Sequence, residues 1–341
     1  MLVTMRDVAR HAGVSAMSVS RVLNGAPRVR EEMRRRVEAA VAELGYVPNG
    51  LARGLSCRRT RTLGVIVPDI ANPFFTLLVR GAEEVAWRAG YHVILCNTQG
   101  DLERERRHLE DMLASCVEGV LIAPAGDSSR ANLLQLSGHD VPYVLVDRSV
   151  SGAGGDLVQG DSIEGARLLV EHLLELGHRR IAFVTESGAV STARDRLLGY
   201  RRALEDAGIA FDPELVLESS AIERRPRPVL ETLGRVLDLP EPPTAIFAVN
   251  NIVAIGVAEA ARERALAIPD DLGLVCFDDI EQAAQLDPFL TVLAQPAETF
   301  GTIASQLLLD RISGRVDARP RTVVLPGELV VRRSASPLLA A

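Results

Sequence analysis

The side chains with the clearest chemical reading lie within the first twenty-four residues. Ala16, Met17, Ser20 and Arg21 fall on one side of a short segment whose other side carries Val19, Val22 and Leu23. On a helix lying in a DNA major groove, such outward positions face base edges. Arg21 can donate two parallel hydrogen bonds to a guanine, worth about 1–3 kcal/mol of discrimination. Ala16 and Met17 offer apolar contact to thymine methyls. Thr4, Ser15, Ser18 and Asn24 carry short hydroxyl or amide groups suited to phosphate contacts, which fix register rather than sequence. The same pattern also fits a purely structural three-helix bundle, so other properties must separate the two readings.

Three short helices are needed to present those groups. Asp7 to Ala12 forms the first, with Val8, Ala9 and Ala12 on one face and Gly13 as its stop. Ser15 is a good N-cap for a second helix reaching about Leu23. The third spans roughly Arg30 to Leu44, where Met33, Val37, Ala40, Val41 and Leu44 recur at helical spacing, and Gly45 ends it. A further short helix can start near Pro48 or Asn49. Gly50 and Gly54 each weaken it by about 1 kcal/mol relative to alanine, so this segment alone should be mostly unfolded. Residues 56–61, SCRRTR, read as a linker.

Charge favours the nucleic-acid reading. The 341-residue chain has a net charge of −7, but residues 1–61 hold twelve arginines against five acids. The rest is strongly acidic. A basic head on an acidic body is suited to meeting a polyanion. All basic residues are arginine, a bias from which no function is drawn. At 47% apolar and 24% charged residues the composition is that of an ordinary soluble protein. No apolar run reaches transmembrane length, and the start lacks a signal-peptide core, so a cytoplasmic protein without membrane association is expected. Cys57, Cys96, Cys116 and Cys276 have no metal spacing and read as small hydrophobes in a reducing compartment. The six histidines show no metal spacing either. Nucleotide-binding glycine loops, the G-x-S-x-G elbow and H-E-x-x-H are absent, so neither an enzyme nor a cofactor is expected.

From Leu63 the pattern changes to alternating strands and helices. LGVIVP, YHVILCN, GVLIAP and YVLVD are strands separated by helices at Pro73–Gly90, Leu102–Cys116 and one more. A second series follows the glycine-rich SGAGG. It has helices near Ile163–Leu176, Arg196–Ala207, Pro228–Leu237 and Ile252–Arg264, and strands RIAFVTE, TAIFAVN and LGLVCFD. Such alternation implies parallel sheets with right-handed crossovers, here in two subdomains. The tail returns to a helix, Ala297 to Ile312, and two strands, RTVVLP and ELVVR. Each subdomain is therefore expected to be discontinuous in sequence.

The motifs DVARHAGVSAMSVSRVLNG, VEAAVAELGYVPN and ARGL, in that order, resemble the DNA-binding head and hinge of the lac repressor family (LacI/GalR). The likeness continues through ANPFF, ELGHRRIAFV, RLLGYRRAL, PTAIFAVNN, AIPDDLGLVCFDD and PFLTVLAQP, across nearly the whole chain. The resemblance implies an α/β protein with a three-helix helix-turn-helix head over 1–47 and a hinge helix with linker over 48–61. A two-subdomain, periplasmic-binding-protein-like (type I) body of parallel sheets follows. Its first subdomain is expected over 62–160 plus 293–319 and its second over 161–292 plus 320–335. Asn49, Ala52 and Leu55 would contact DNA from the hinge, Leu55 wedging into a minor-groove step. A homodimer on a near-palindromic operator is expected, because two heads multiply the discrimination of one. The tail SASPLLAA has no leucine heptads, so no lac-repressor-like tetramerising helix is expected.

The resemblance also implies a small-molecule effector, sugar-like, held between the two subdomains. Position by position, Phe74 and Phe75 would lie at the mouth of the cleft, with core packing as the alternative. Arg196 would hold ligand hydroxyls or a carboxylate, and Asp278 would be the acidic contact, unless the two form a structural ion pair. Asp147, Arg148, Thr192, Asn250 and Gln295 are further candidates, and Asp147 could equally be a turn cap. All lie at strand ends or the turns after them, where open α/β sheets bind ligands. His178, at a helix end before a strand, reads as structural.

Asn251 stands where the family usually has aspartate, which puts in doubt a subdomain contact or the usual sugar geometry. Arg224, Arg225 and Arg227 form either a subsite for an anionic effector or a solvated loop. The implied function is a transcriptional repressor under effector control; the alternative is a solute-binding module without DNA activity.

Overall fold

The computed structural model describes residues 3–23, 29–46, 60–185, 190–218, 233–315 and 319–338, with only the backbone of 281–283. Two units are present, 1–60 and 61–341.

The first unit contains helices α1 (Met5–Ala12), α2 (Ala16–Leu23) and α3 (Glu31–Leu44). Thr4 caps α1 in a capping box with Asp7: its backbone N–H donates to the Asp7 carboxylate at 3.0 Å, and its side-chain oxygen accepts from Asp7 N–H. Gly13, with φ of 63°, ends α1 in the left-handed region that the next turn requires. Ser15 accepts from the Ser18 N–H at 3.1 Å and so starts α2. Val8, Ala12, Val19, Val22, Val37, Ala40 and Tyr46 form one small core. Across it, His11 Nε2 lies 2.7 Å from a Glu43 carboxylate oxygen, joining α1 to α3.

The second unit holds two sheets. In order, its elements are β1 (Thr62–Val67), α4 (Pro73–Arg88), β2 (His92–Asn97), α5 (Leu102–Ala114), β3 (Gly119–Ile122), α6 (Arg130–Gly138), β4 (Tyr143–Val146) and β5 (Asp156–Gly160). They continue with α7 (Ser162–Glu175), β6 (Ile181–Thr185), α8 (Ser191–Asp206), β7 (Val216–Glu218), β8 (Ala245–Ala248), α9 (Asn251–Glu263), β9 (Gly273–Phe277), α10 (Glu281–Leu286) and β10 (Thr291–Ala294). The tail supplies α11 (Ala297–Ile312), β11 (Thr322–Leu325) and β12 (Glu328–Val330).

The strand order is β2-β1-β3-β4-β5-β11 in the first sheet and β7-β6-β8-β9-β10-β12 in the second. Every pairing is parallel except β10 with β12. Both lobes are thus doubly wound with the same order, and in each the crevice beyond the strand C-termini is the natural ligand site. Continuous apolar strands such as Ile181–Thr185 and Ala245–Ala248 are buried throughout, as parallel strands covered on both faces must be.

The sheet assignments correct the expected subdomain boundaries. Leu293 and Ala294 belong to β10 in the second sheet, not to the first lobe. Thr322–Leu325, expected in the second lobe, pairs in parallel with Leu157–Gly160 in the first. The chain therefore crosses between lobes three times: after β5, after β10 and after β11. A fully buried carboxylate ties the tail to the first lobe ahead of the last crossing. Asp156 accepts from Arg311 Nη2 at 2.6 Å, from Arg321 Nη2 at 2.7 Å and from the Arg321 backbone N–H at 2.7 Å. This clamp binds α11 and the start of β11 to the first lobe.

Candidate DNA-reading face and inter-lobe cleft

On α2, Val19 and Val22 enter the head core, while Ala16, Met17 and Arg21 are exposed. Met17 is 75% exposed, far more than a core-forming methionine would be. Ser20 is half-buried. The expected base-reading side therefore faces solvent. Thr4, Ser15 and Ser18 carry helix-capping bonds: the Thr4 hydroxyl lies 2.6 Å from the Asp7 carboxylate, and the Ser15 and Ser18 hydroxyls lie 2.9 Å apart. Asn24, Asn49, Ala52 and Leu55 lie outside the described residues, as do Arg224, Arg225 and Arg227.

In the two-lobed unit, the expected effector residues gather at strand ends. Asp147 follows β4 and Asp278 follows β9. Both are buried, and both have positive φ, 63° and 72°. A left-handed backbone is unusual outside glycine and is tolerated best by residues such as aspartate. Gln295 Nε2 donates to the Asp278 carboxylate at 2.6 Å. Gln295 needs the space left by Gly160, where a Cβ would come within 2.0 Å of its amide oxygen.

Arg196 is 4% exposed and lies on the inner face of α8. Its guanidinium carbon is 3.6 Å from the centroid of the Phe277 ring. Nη1 donates to the Val249 carbonyl at 2.6 Å and sits 3.7 Å from the Asp278 carboxylate. The last separation is an ion pair but too long for a hydrogen bond. Arg148 is held similarly. Its Nη1 donates to the Pro124 carbonyl at 3.1 Å, and its Nε is 3.7 Å from Asp147. The Nε atoms of Arg148 and Arg196 and the hydroxyl of Thr185 are buried without a hydrogen-bond partner among the described residues. Buried donors rarely stay unpaired, so such groups mark places where polar ligand atoms fit.

Other expected residues have different work. Phe74 and Phe75 are buried, pack edge-on at 5.1 Å, and belong to the first lobe's core; Phe74 also meets Phe300 at 5.5 Å. Of the two, Phe75 keeps a link to the charged groups, 6.0 Å from the Arg148 guanidinium. Asn250 caps α9, its oxygen accepting from Val253 N–H at 2.9 Å. Thr192 is buried in the first turn of α8. His178 is structural, lying 2.9 Å from the Thr244 hydroxyl and 3.1 Å from the Ser336 carbonyl.

Of the residues that bridge the lobes, sequence reasoning singled out Asn251 as bearing on a subdomain contact and missed its partner and the other bridges. Asn251 Nδ2 donates to Asn72 Oδ1 at 3.1 Å. The Ser149 backbone N–H donates to the Ser191 hydroxyl at 2.9 Å. Arg194 pairs with Asp127 at 2.8 Å. Behind Asp127, the buried Glu105 accepts from Ala125 N–H, Ser129 Oγ and Asn132 Nδ2 at 2.7–3.0 Å and so fixes the loop. Asn-Pro after a strand is a recognisable helix start, and could have flagged Asn72. Ser149 and Ser191 carry no such signal.

Comparison with known proteins agrees with this geometry. Residues 4–49 match the model for bacterial regulatory proteins of the lacI family, and residues 170–335 match that for a periplasmic binding protein-like domain. The chain is 33% identical to the HTH-type transcriptional repressor PurR of Aliivibrio fischeri (strain MJ11), over 98% of each protein. A cellobiose complex of the transcriptional regulator CelR is 31% identical, with a TM-score of 0.72, covering 97% of this chain and 99% of that one. The lac repressor dimer bound to operator and the anti-inducer ONPF is 28% identical, with a TM-score of 0.80, covering 98% and 100%. An exposed reading helix, two doubly wound lobes and end-to-end likeness to known repressors lead to one assignment: the chain belongs to the lacI family of bacterial regulatory proteins, which are DNA-binding transcriptional regulators and not enzymes.

Proposed function

We propose that this regulator is a repressor that binds a near-palindromic duplex operator as a homodimer and releases or grips it according to a small sugar-like molecule held between its lobes. The observation that carries the effector reading is the charged set of buried Asp147, Arg196 and Asp278 with half-buried Arg148, the two aspartates at strand ends and Arg196 on the inner face of α8. Two carboxylates offset two guanidinium groups, so the set favours a neutral ligand rich in hydroxyls. Such a ligand can accept from Arg148 and Arg196 and donate to Asp147 and Asp278. The CelR structure, a cellobiose complex, supports the same class.

The exposed Ala16, Met17 and Arg21 support base reading by α2. Leu55, outside the described residues, keeps its place in this reading as a minor-groove wedge. An edge strand supports the dimer. Ile94 and Leu95 on β2 are 39% and 43% exposed, and Trp87, near the end of α4, is 65% exposed. Uncovered apolar groups on a sheet edge invite a partner, and the lac repressor of similar structure is a dimer. No helix among the described residues is long and apolar enough to cross a membrane, which suits a protein working on DNA in the cytoplasm.

A mobility-shift titration with the DNA upstream of the protein's own gene tests the reading. Saturable binding that survives excess competitor DNA is expected, with its midpoint moved by at least one neutral sugar. Binding no tighter than to random duplex at moderate salt would contradict it.

A further inference from the structure

Of the polar pairs that bridge the lobes, the one between Asn72 and Asn251 is the most deeply placed. Asn72 is 7% exposed and Asn251 is fully buried. The acceptor cannot turn away. Asn72 Oδ1 also takes the Phe74 N–H at 3.0 Å, capping α4, so rotating the amide would unmake the cap. The other lobe meets this fixed acceptor with a donor, the side-chain amide of Asn251. Its other amide atom, Oδ1, is buried without a partner among the described residues. A buried amide oxygen left unpaired opposes folding. A residue serving the stability of its own lobe alone would be apolar, like its neighbours Val253 and Ala254.

We propose that Asn72 and Asn251 form a latch that holds the two lobes together by protein contacts, so that the chain itself sets part of the balance between closed and open cleft. The pair is uncharged and buried, so salt and pH leave it intact. The Ser149–Ser191 bond is a second member. The Asp127–Arg194 pair is a third, but its side chains are half-exposed and salt screens it. A cleft already biased towards closure asks less of its effector, whose apparent affinity scales with the closed fraction. That consequence rests on the effector reading given above; the latch itself does not.

The Ser149 N–H donates across the lobes, so its hydrogen exchange reports closure with no ligand added. Exchange is measured on the full chain by mass spectrometry with residue resolution. In Asn251→Ala, Ser149 should exchange about five- to tenfold faster than in wild type. Amides inside the sheets, such as those of Val65 and Phe247, should keep wild-type rates. Thermal stability should fall only slightly, because loss of the unpaired oxygen offsets part of the cost of the broken bond and the cavity left behind. The nearly isosteric Asn251→Asp sets an acceptor against Asn72 Oδ1 and should speed Ser149 at least as much. Wild-type exchange at Ser149 in both variants would overturn the latch, and so would a rise matched across both sheets. Either failure leaves the effector reading standing, since that is tested by ligand binding.

Discussion

Asp147 and Asp278 occupy the same place in the two lobes. Each follows the corresponding strand of an identically ordered sheet, β4 or β9, and each has a left-handed backbone. Each N–H donates to the neighbouring strand, to Val158 O at 2.8 Å and Leu293 O at 3.0 Å. Each carboxylate faces an arginine at 3.7 Å, Arg148 and Arg196 respectively. The two lobes thus present matching acid–base pairs, Asp147 with Arg148 and Asp278 with Arg196.

That equivalence separates backbone from side chain. Asp278→Gly relieves the left-handed strain but leaves the buried Arg196 without its counter-charge, so it should lose stability. Asp278→Leu loses the same ion pair and adds a bulky left-handed side chain, so it should lose about 1–3 kcal/mol more than the glycine variant. Both should lose the response to effector. Thermal denaturation with and without neutral sugars checks this; equal destabilisation by glycine and leucine would assign Asp278 a purely structural ion-pair role.

Arg21 carries the specificity prediction. Arg21→Ala removes an exposed side chain, so stability should be unchanged. Operator binding should weaken by about 1–3 kcal/mol while binding to random duplex stays nearly constant. Fluorescence anisotropy with specific and random duplexes measures the ratio. A uniform loss on both would make Arg21 a phosphate contact.

Asp156 should be among the most sensitive positions for stability. Burial pushes its pKa up, but hydrogen bonds from Arg311 and Arg321 outweigh this and hold it below the ordinary carboxylate value. Asp156→Ala leaves two partly buried guanidinium groups facing an emptied site. It should cost about 3–5 kcal/mol, and protease should gain access to the tail around Arg319–Arg321. Urea denaturation with limited proteolysis checks both; a variant as stable as wild type would show that the clamp does not hold α11 and the start of β11 on the first lobe.

His178 gives the chain a pH dependence on the acid side. Burial lowers its pKa; the Ser336 carbonyl works against this and His172 adds to it. Because the folded pKa lies below the unfolded value of about 6.5, the unfolded chain binds more protons between the two. The stabilisation is fully present above about pH 6.5 and is lost as pH falls through the folded pKa. His178→Gln should therefore flatten the fall in melting temperature between pH 7 and 5. Parallel slopes in wild type and variant would remove His178 as the cause.

Much of this structure is legible in the sequence because local signals agree with the tertiary fold. Gly13, Ser15 and Gly45 mark helix ends in the head, and their backbones behave accordingly. Short apolar runs such as TAIFAVN, set among alternating helices, read as buried parallel strands, and Ala245–Ala248 forms one. The strand Asp156–Gly160 was not legible: DLVQG is short, half polar and preceded by glycines, and its partners come from residues 322–325. Glu105 stands in the charged run LERERRHLE, which reads as a solvated helix face, yet it is fully buried. The role proposed for Arg196 comes from the resemblance, whereas its stacking on Phe277 has no signal in the sequence. The Asn72–Asn251 bond joins residues 179 apart, and no local pattern encodes a contact across that distance.

Reciprocity tests most directly the proposed thermodynamic coupling between the cleft and the DNA-reading head. For a neutral sugar found to bind, operator affinity is measured with and without saturating sugar, and sugar affinity with and without saturating operator. Coupling requires the same factor in both directions, typically about 5- to 150-fold, and its loss in Arg196→Ala. A sugar that binds the cleft tightly while operator affinity stays the same would contradict the account.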